Sequence, residues 1–330
     1  MTRTRRAALA LYLLAPVCGE LLSGSTPIAA FMNPLTLLFL SGVYGSGAVL
    51  IRDVVRSRRL GWWSVPLLGA AYGVLEEGLM VTSWFNPYWP DVVPLGAYGR
   101  ALDLSWLWAA HLTIFHAVVS MTVPIVLAEA LFPDVADSAW LSPVARTRLG
   151  MWLGFLSLVG VVGFGFVAFR EQGYTHPPAS YVFAIGIALA LVRVALRLRP
   201  QTRVVTGAPP TLARMRWAGF AFITAVFALG WLGPHLISIA ALTLAGFGAL
   251  IAFAGSRVSD WSARAGWGAE HRLALASGAL AFLIALQPIV EATHAGGRDA
   301  AGQTFVAAAA ALFLVWLARR RAAARVALAA

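Results

Sequence analysis

Two adjacent glutamates, Glu76 and Glu77, stand in the middle of an apolar stretch, and the next apolar stretch carries His111 and His116. Ionisable side chains cost about 2.5–3.5 kcal/mol each at the centre of a membrane helix, so they persist there where they pair, transport or catalyse. Carboxylates beside an imidazole form a proton-sharing set, which suits activation of a water molecule or relay of a proton. Glu20, near the end of the first apolar stretch, completes the set of candidates. The expected roles are Glu76 or Glu77 as base, His116 and His111 as proton donor or oxyanion stabiliser, and Glu20 as an orienting group.

The elements that must position these residues follow from composition. The chain has 330 residues, of which 60% are hydrophobic and 12% charged, with a mean hydropathy of +0.77. About 20 apolar residues cross a bilayer, and such runs divide nearly the whole chain into ten expected spans: 7–24, 34–51, 61–85, 106–131, 149–169, 181–198, 216–232, 236–254, 273–290 and 303–318. The fold class is therefore an all-α, polytopic transmembrane bundle. Every basic residue is arginine. With the N-terminus inside, 22 of the 25 fall at inner ends and loops, and only Arg100, Arg170 and Arg298 fall outside. Cytoplasmic loops carry such an excess, so both termini are expected in the cytoplasm. The absence of lysine with abundant Ala, Arg and Gly points to a GC-rich prokaryotic genome, so a prokaryotic plasma membrane is the expected location.

The net charge of +11 then faces anionic lipid headgroups, and no nucleic-acid partner is expected. The basic start followed by an apolar run reads as an uncleaved first span. A single cysteine, Cys18, excludes an internal disulfide and a thiolate metal cluster.

Polar residues are concentrated in the first four spans. The sequence thus divides into a polar four-helix unit (1–132) carrying the site, a cytoplasmic linker (133–148) and an apolar six-helix unit (149–330). Glu76 lies about 13 Å, and His116 about 15 Å, below the outer ends of their spans at 1.5 Å per residue. Gly69, Tyr72, Gly73, Glu76, Met80 and Ser83 share one face of the third span, and Ala109, Thr113, His116 and Ser120 one face of the fourth. The expected contact is Glu76 with His116, supported by Thr113 or Ser120. Glu77 lies about 100° round the helix from Glu76, so one of the pair is expected to face a different neighbour. Glycines at 42, 45 and 47, and at 150 and 154, are expected at close helix contacts. The loop Asn86–Ser105, with its Asn86-Pro87-Tyr88-Trp89-Pro90-Asp91 start, is expected to be an aromatic, interface-seated segment.

No cofactor is expected. A metal ion on Glu76, His111 or His116 is open but not favoured, because the histidines are spaced i, i+5 rather than the i, i+4 of a helical zinc pair. No G-x-S-x-G or phosphate-cradling glycine loop is present.

Paired glutamates in one span with histidine in the next resemble the CAAX protease and bacteriocin-processing family of glutamate-type intramembrane endopeptidases. Glu76-Glu77 match the first two positions of that family's E-E-x-x-x-R motif, with Val81 in place of the arginine. Leu112-x-x-x-His116 and Leu107-x-x-x-His111 keep the histidine of F-x-x-x-H and lose the phenylalanine. The H-x-x-x-N motif is missing, since Asn33 and Asn86 are the only asparagines. The resemblance implies a membrane-embedded hydrolase, a peptidase, acting on a hydrophobic or membrane-bound substrate through a glutamate-activated water. The same carboxylates would also serve a proton-coupled transporter or permease, and a non-catalytic scaffold or lipid-binding protein is the third reading.

Overall fold

A computed structural model describes residues 1–164, 174, 177–202, 204–293 and 299–329. Arg170, Arg203 and Arg298, used above to divide the arginines, lie outside the described residues.

Among the described residues there are ten long helices: α1 (Arg3–Pro16, prolonged by Val17–Leu21), α2 (Pro34–Ser57), α3 (Ser64–Gly73, prolonged by Val74–Met80), α4 (Trp106–Leu131), α5 (Pro143–Val162), α6 (Pro178–Ala195), α7 (Leu212–Leu236), α8 (Ala240–Ser262), α9 (Ala269–Thr293) and α10 (Gln303–Ala329). The described strands are β1 (Arg100–Ala101) and β2 (Leu104–Ser105), a hairpin in the loop between α3 and α4. Among the described residues, seven helices, α2 and α4 to α9, are long and apolar enough to cross a membrane. The other three expected spans are also helical. α3 is short, ten α-helical residues and then seven in π-geometry, while α1 and α10 carry arginines. The turn between α7 and α8 falls at Ile237–Ile239, after Gly233–Leu236 completes a further helical turn.

Each of the first four helices contains a π-helical segment: Val17–Leu21 in α1, Ser41–Gly45 in α2, Val74–Met80 in α3 and His116–Thr122 in α4. Two of these have a local cause. Pro16 and Pro124 lack the amide hydrogen that would bond the carbonyl four residues earlier, so the ladder must be re-satisfied by a different spacing. The His116–Thr122 segment ends two residues before Pro124. The Val17–Leu21 segment begins directly after Pro16.

Helices α1 to α4 pack on one another at the centre. α5 and α6 cover α3, and α9 covers α4, so the polar residues of α1 to α4 are enclosed. One core cluster joins Leu11, Tyr44, Tyr72, Met80, Met121 and Leu156. A second joins Cys18, Val119 and Leu127 with Ile223 of α7, Leu280 of α9 and Leu317 of α10. The remaining faces of α5 to α10 display apolar side chains, among them Phe155, Val182, Leu242, Phe253 and Leu312. Such surface suits lipid tails rather than water.

At one end of the bundle the arginines meet acids. Arg52, 1% exposed, donates from Nε to Glu129 Oε1 at 3.2 Å, while Arg56 binds the same carboxylate at 2.9 and 2.6 Å. Asp53, fully buried, accepts from the Trp140 and Leu141 amides at 2.7 and 3.0 Å and from Arg146 Nε at 2.7 Å. The Arg52 guanidinium also lies 3.6 Å from the centre of the Trp140 ring. These contacts clamp the segment joining α4 to α5 onto α2.

Small residues set the spacing of the central helices. A Cβ on Gly73 would stand 2.9 Å from His116 Cβ, and one on Gly47 would stand 2.6 Å from the Tyr72 ring. The glycines of α2 thus behave as expected of close contacts. Gly150 and Gly154 of α5 do not: nothing lies within 4 Å of a Cβ at either position, because that face of α5 points away from the other helices.

Candidate functional site

Four helices deliver one polar cluster, each from its π-helical segment. Glu20 comes from α1, Tyr44 from α2, Glu76 and Glu77 from α3, and His116 and Ser120 from α4. Segments of this kind widen the turn, break the regular ladder and recur at functional sites.

His116, 2% exposed, is the hub. Its Nε2 lies 3.1 Å from Glu77 Oε1, and its Nδ1 lies 3.1 Å from Ser120 Oγ and 3.4 Å from Glu76 Oε2. Both glutamates therefore reach one imidazole, contrary to the expectation that one of the pair would face a different neighbour. The physical reason has two parts. The π-helical turn is wider than the 3.6-residue turn on which a 100° step rests, and an imidazole presents its two nitrogens in different directions.

The outer atoms of the cluster are also held. The Ser83 hydroxyl donates to Glu77 Oε2, and Trp108 Nε1 donates to Ser83 Oγ at 3.1 Å. The Tyr44 hydroxyl donates to Glu20 Oε1, and Thr26 Oγ1 donates to Glu20 Oε2 at 2.5 Å. The Tyr44 and Tyr72 rings lie 6.0 and 6.1 Å from the imidazole centre and 5.7 Å from each other. Two buried polar atoms face this cluster without a hydrogen bond of good geometry: Glu76 Oε2 and the Tyr72 hydroxyl. They face one another, the Tyr72 hydroxyl toward the Glu76 carboxylate, and Glu76 Oε2 also lies 3.4 Å from His116 Nδ1.

Of the five candidate residues, Glu76, Glu77 and His116 converge directly, and Glu20 joins them through Tyr44. His111 does not reach the cluster. Its Nδ1 lies 3.3 Å from the Val226 carbonyl of α7, and its ring stacks on Trp108 at 5.8 Å and meets Phe227 edge-on at 5.0 Å. Tyr44, Ser83 and Tyr72 are the contributors whose roles the sequence left unassigned. Tyr72 and Ser83 share the polar face of α3 on which Glu76 was placed, so their positions were signalled. Tyr44 carried no signal beyond being a polar group in an apolar run.

The loop between α3 and α4 is ordered against this end of the site. Arg100 donates to the Phe85 carbonyl at 2.7 Å, and the Tyr98 hydroxyl binds the Ile237 carbonyl at 2.8 Å and Thr243 Oγ1 at 2.6 Å. Trp84, Phe85, Val92, Leu104 and Trp108 pack together with Ala184 of α6. Trp108 thereby links the loop to the site through Ser83.

Chemically, one donor atom from each of Glu76, Glu77 and His116 lies within 4.8 Å of the other two, near enough to share a proton or an ion. Neither a curated protein nor a solved structure shows significant similarity to the chain. A family model, described as the uncharacterised membrane protein family, matches residues 9–325. This corrects the resemblance to CAAX and bacteriocin-processing endopeptidases: the match extends over nearly the whole chain and is to a different family. The paired glutamates and the histidines of the next span had carried that resemblance, without the arginine, phenylalanine and asparagine of the endopeptidase motifs. The chain is a multi-pass membrane protein, and it belongs to the uncharacterised membrane protein family.

Proposed function

We propose that this protein is a membrane-embedded hydrolase in which Glu76, supported by His116 and Glu77, activates a water molecule. The observation that carries the reading is the pair of carboxylates on one buried imidazole. Glu77 is held by Ser83 and oriented on His116, which suits it to fix the imidazole. Glu76 is the less restrained carboxylate and the better placed base. His116 would then pass a proton to the leaving group, and Tyr44 with Glu20 would orient the polar wall. The chain would lie in a prokaryotic plasma membrane with its arginine-rich end on anionic headgroups of the cytoplasmic leaflet. Its substrate would be a hydrophobic or membrane-bound molecule.

A proton-coupled transporter is the second reading, favoured by the run Thr26–Glu20–Tyr44 beside Glu76–His116–Glu77–Ser83. Against it, the acid at the other end of α4, Glu129, is committed to Arg52 and Arg56, so it offers no free carboxylate for a continuing relay.

The test is turnover in detergent, where no gradient exists and transport has no meaning. Wild-type protein is incubated with a broad lipid and peptide pool beside Glu76→Gln, which keeps shape and removes the proton acceptor. The expected result is cleavage by the wild type and a loss of about 10²–10⁴-fold in the variant. Equal product from both would remove Glu76 from the role, and no turnover by the wild type would leave the relay as the better reading.

A further inference from the structure

From the geometry of the same cluster we infer that Glu76, Glu77 and His116 form a binding site for one divalent transition-metal ion, with zinc as the best-fitting occupant. The inference rests on the hydrolase reading and changes two roles within it: with an ion bound, Glu76 and His116 serve as ligands, and activation of the water passes from Glu76 to the ion. Its test does not depend on turnover.

The first argument is a surplus of acceptors. His116 Nδ1 faces Ser120 Oγ and Glu76 Oε2, so a proton on Nδ1 has a place to point. Nε2 then turns a lone pair toward Glu77 Oε1 at 3.1 Å. Two lone pairs at that distance repel unless a cation stands between them, either a proton or a metal ion. Ligands about 2.0–2.1 Å from a tetrahedral ion stand about 3.3 Å from each other, close to the separation observed.

The second argument is the support around each ligand. Metal-binding histidines hold their other nitrogen in a hydrogen bond, and metal-binding carboxylates are likewise bonded from behind. Here Ser120 holds His116 Nδ1 and Ser83 holds Glu77 Oε2, which leaves the facing atoms Nε2 and Oε1 for the ion. The third ligand is Glu76. One donor atom from each of the three residues lies within 4.8 Å of the other two. Glu76 Oε2 is buried 3.4 Å from His116 Nδ1 and beside the Tyr72 hydroxyl, so it would turn from these neighbours toward Nε2 to complete the ligand set. Three protein ligands leave a fourth position for water, which is the pattern of a catalytic rather than a structural zinc site. Zinc-bound water loses a proton near neutral pH, and this gives the proposed hydrolase its nucleophile.

The test is metal content. Untagged protein, purified in detergent and equilibrated separately with zinc, manganese and iron(II), is dialysed and analysed by plasma mass spectrometry, with gel filtration reporting the fold. Zinc is expected at one ion per chain. His116→Gln and Glu77→Gln are expected to lose it, Ser120→Ala to weaken it about 10–100-fold, and His235→Ala, on an exposed histidine at the α7–α8 turn, to keep it. X-ray absorption on the wild type should show one nitrogen and two carboxylate ligands. A wild type that retains none of the three metals overturns the site, as does retention undiminished in a folded His116→Gln, Glu77→Gln double variant. Retained zinc without hydrolysis would support the site and count against the hydrolase, whereas hydrolysis untouched by chelators would sink the metal and leave the hydrolase standing.

Discussion

His116 is nearly sealed from the surface, and each of its nitrogens has an acidic neighbour, so the stability of the cluster depends on keeping those partners together. Removing one member of a buried, charge-bearing pair typically costs about 3–5 kcal/mol, because the other is left desolvated and unmatched. Glu77→Ala and His116→Ala should each lower the unfolding midpoint in detergent, and the double variant should lose less than the sum of the two. The Glu76–His116 cycle should show a smaller coupling, since that contact is 3.4 Å long and Glu76 Oε2 makes no hydrogen bond. Strict additivity for Glu77 and His116 would mean that the 3.1 Å contact does not form. The residues themselves were legible in the sequence because charge in an apolar run stands out. Their partners were less so. A regular helix sends Glu76 and Glu77 to different neighbours, and only the widened turn of Val74–Met80 lets both meet one ring. His111 was equally conspicuous as a polar residue, yet a backbone carbonyl and aromatic rings satisfy it away from the cluster.

At the scale of helices, the site exists because α3 and α4 approach through small residues. Gly73 packs on the His116 Cβ and Gly69 on the Ala117 backbone. Gly73→Ala should therefore force α3 and α4 apart, lowering stability by about 1–3 kcal/mol and displacing the imidazole from the glutamates. Gly154→Ala in α5 should do the opposite. It meets nothing within 4 Å, and alanine is favoured over glycine in a helix by about 0.5–1 kcal/mol. Thermal unfolding of the two variants side by side decides the matter, and equal effects would contradict the packing described here. Sequence placed helices over all ten expected spans, and α4 within its observed bounds, because long apolar runs in a membrane protein leave the backbone no alternative to internal hydrogen bonding. It could not separate glycines at contacts from glycines facing outward. In a helix that is apolar on every side, periodicity carries little information, which is also why the π-helical segments went unread.

Over the whole molecule, the arginines and their acids collect at one end of the bundle, as in the contacts of Arg52, Arg56 and Arg146 with Glu129 and Asp53. The loop between α3 and α4 forms the opposite end, with Arg100 turned onto loop carbonyls. A positive end of this kind is retained in the cytoplasm during insertion, so the two ends make opposite predictions for a reagent that cannot cross the membrane. The single native thiol, Cys18, is buried, and its replacement by serine gives a clean background. Leu102, 91% exposed at the tip of the hairpin, and Val204, 78% exposed between α6 and α7, are suitable positions for introduced cysteines. Cysteine at 102 should react with an impermeant maleimide in intact cells. Cysteine at 204 should react only after the cells are opened. Reaction of 204 from outside would invert the orientation and place the Glu–His cluster nearer the cytoplasmic face, changing the side from which a water molecule or an ion would have to enter.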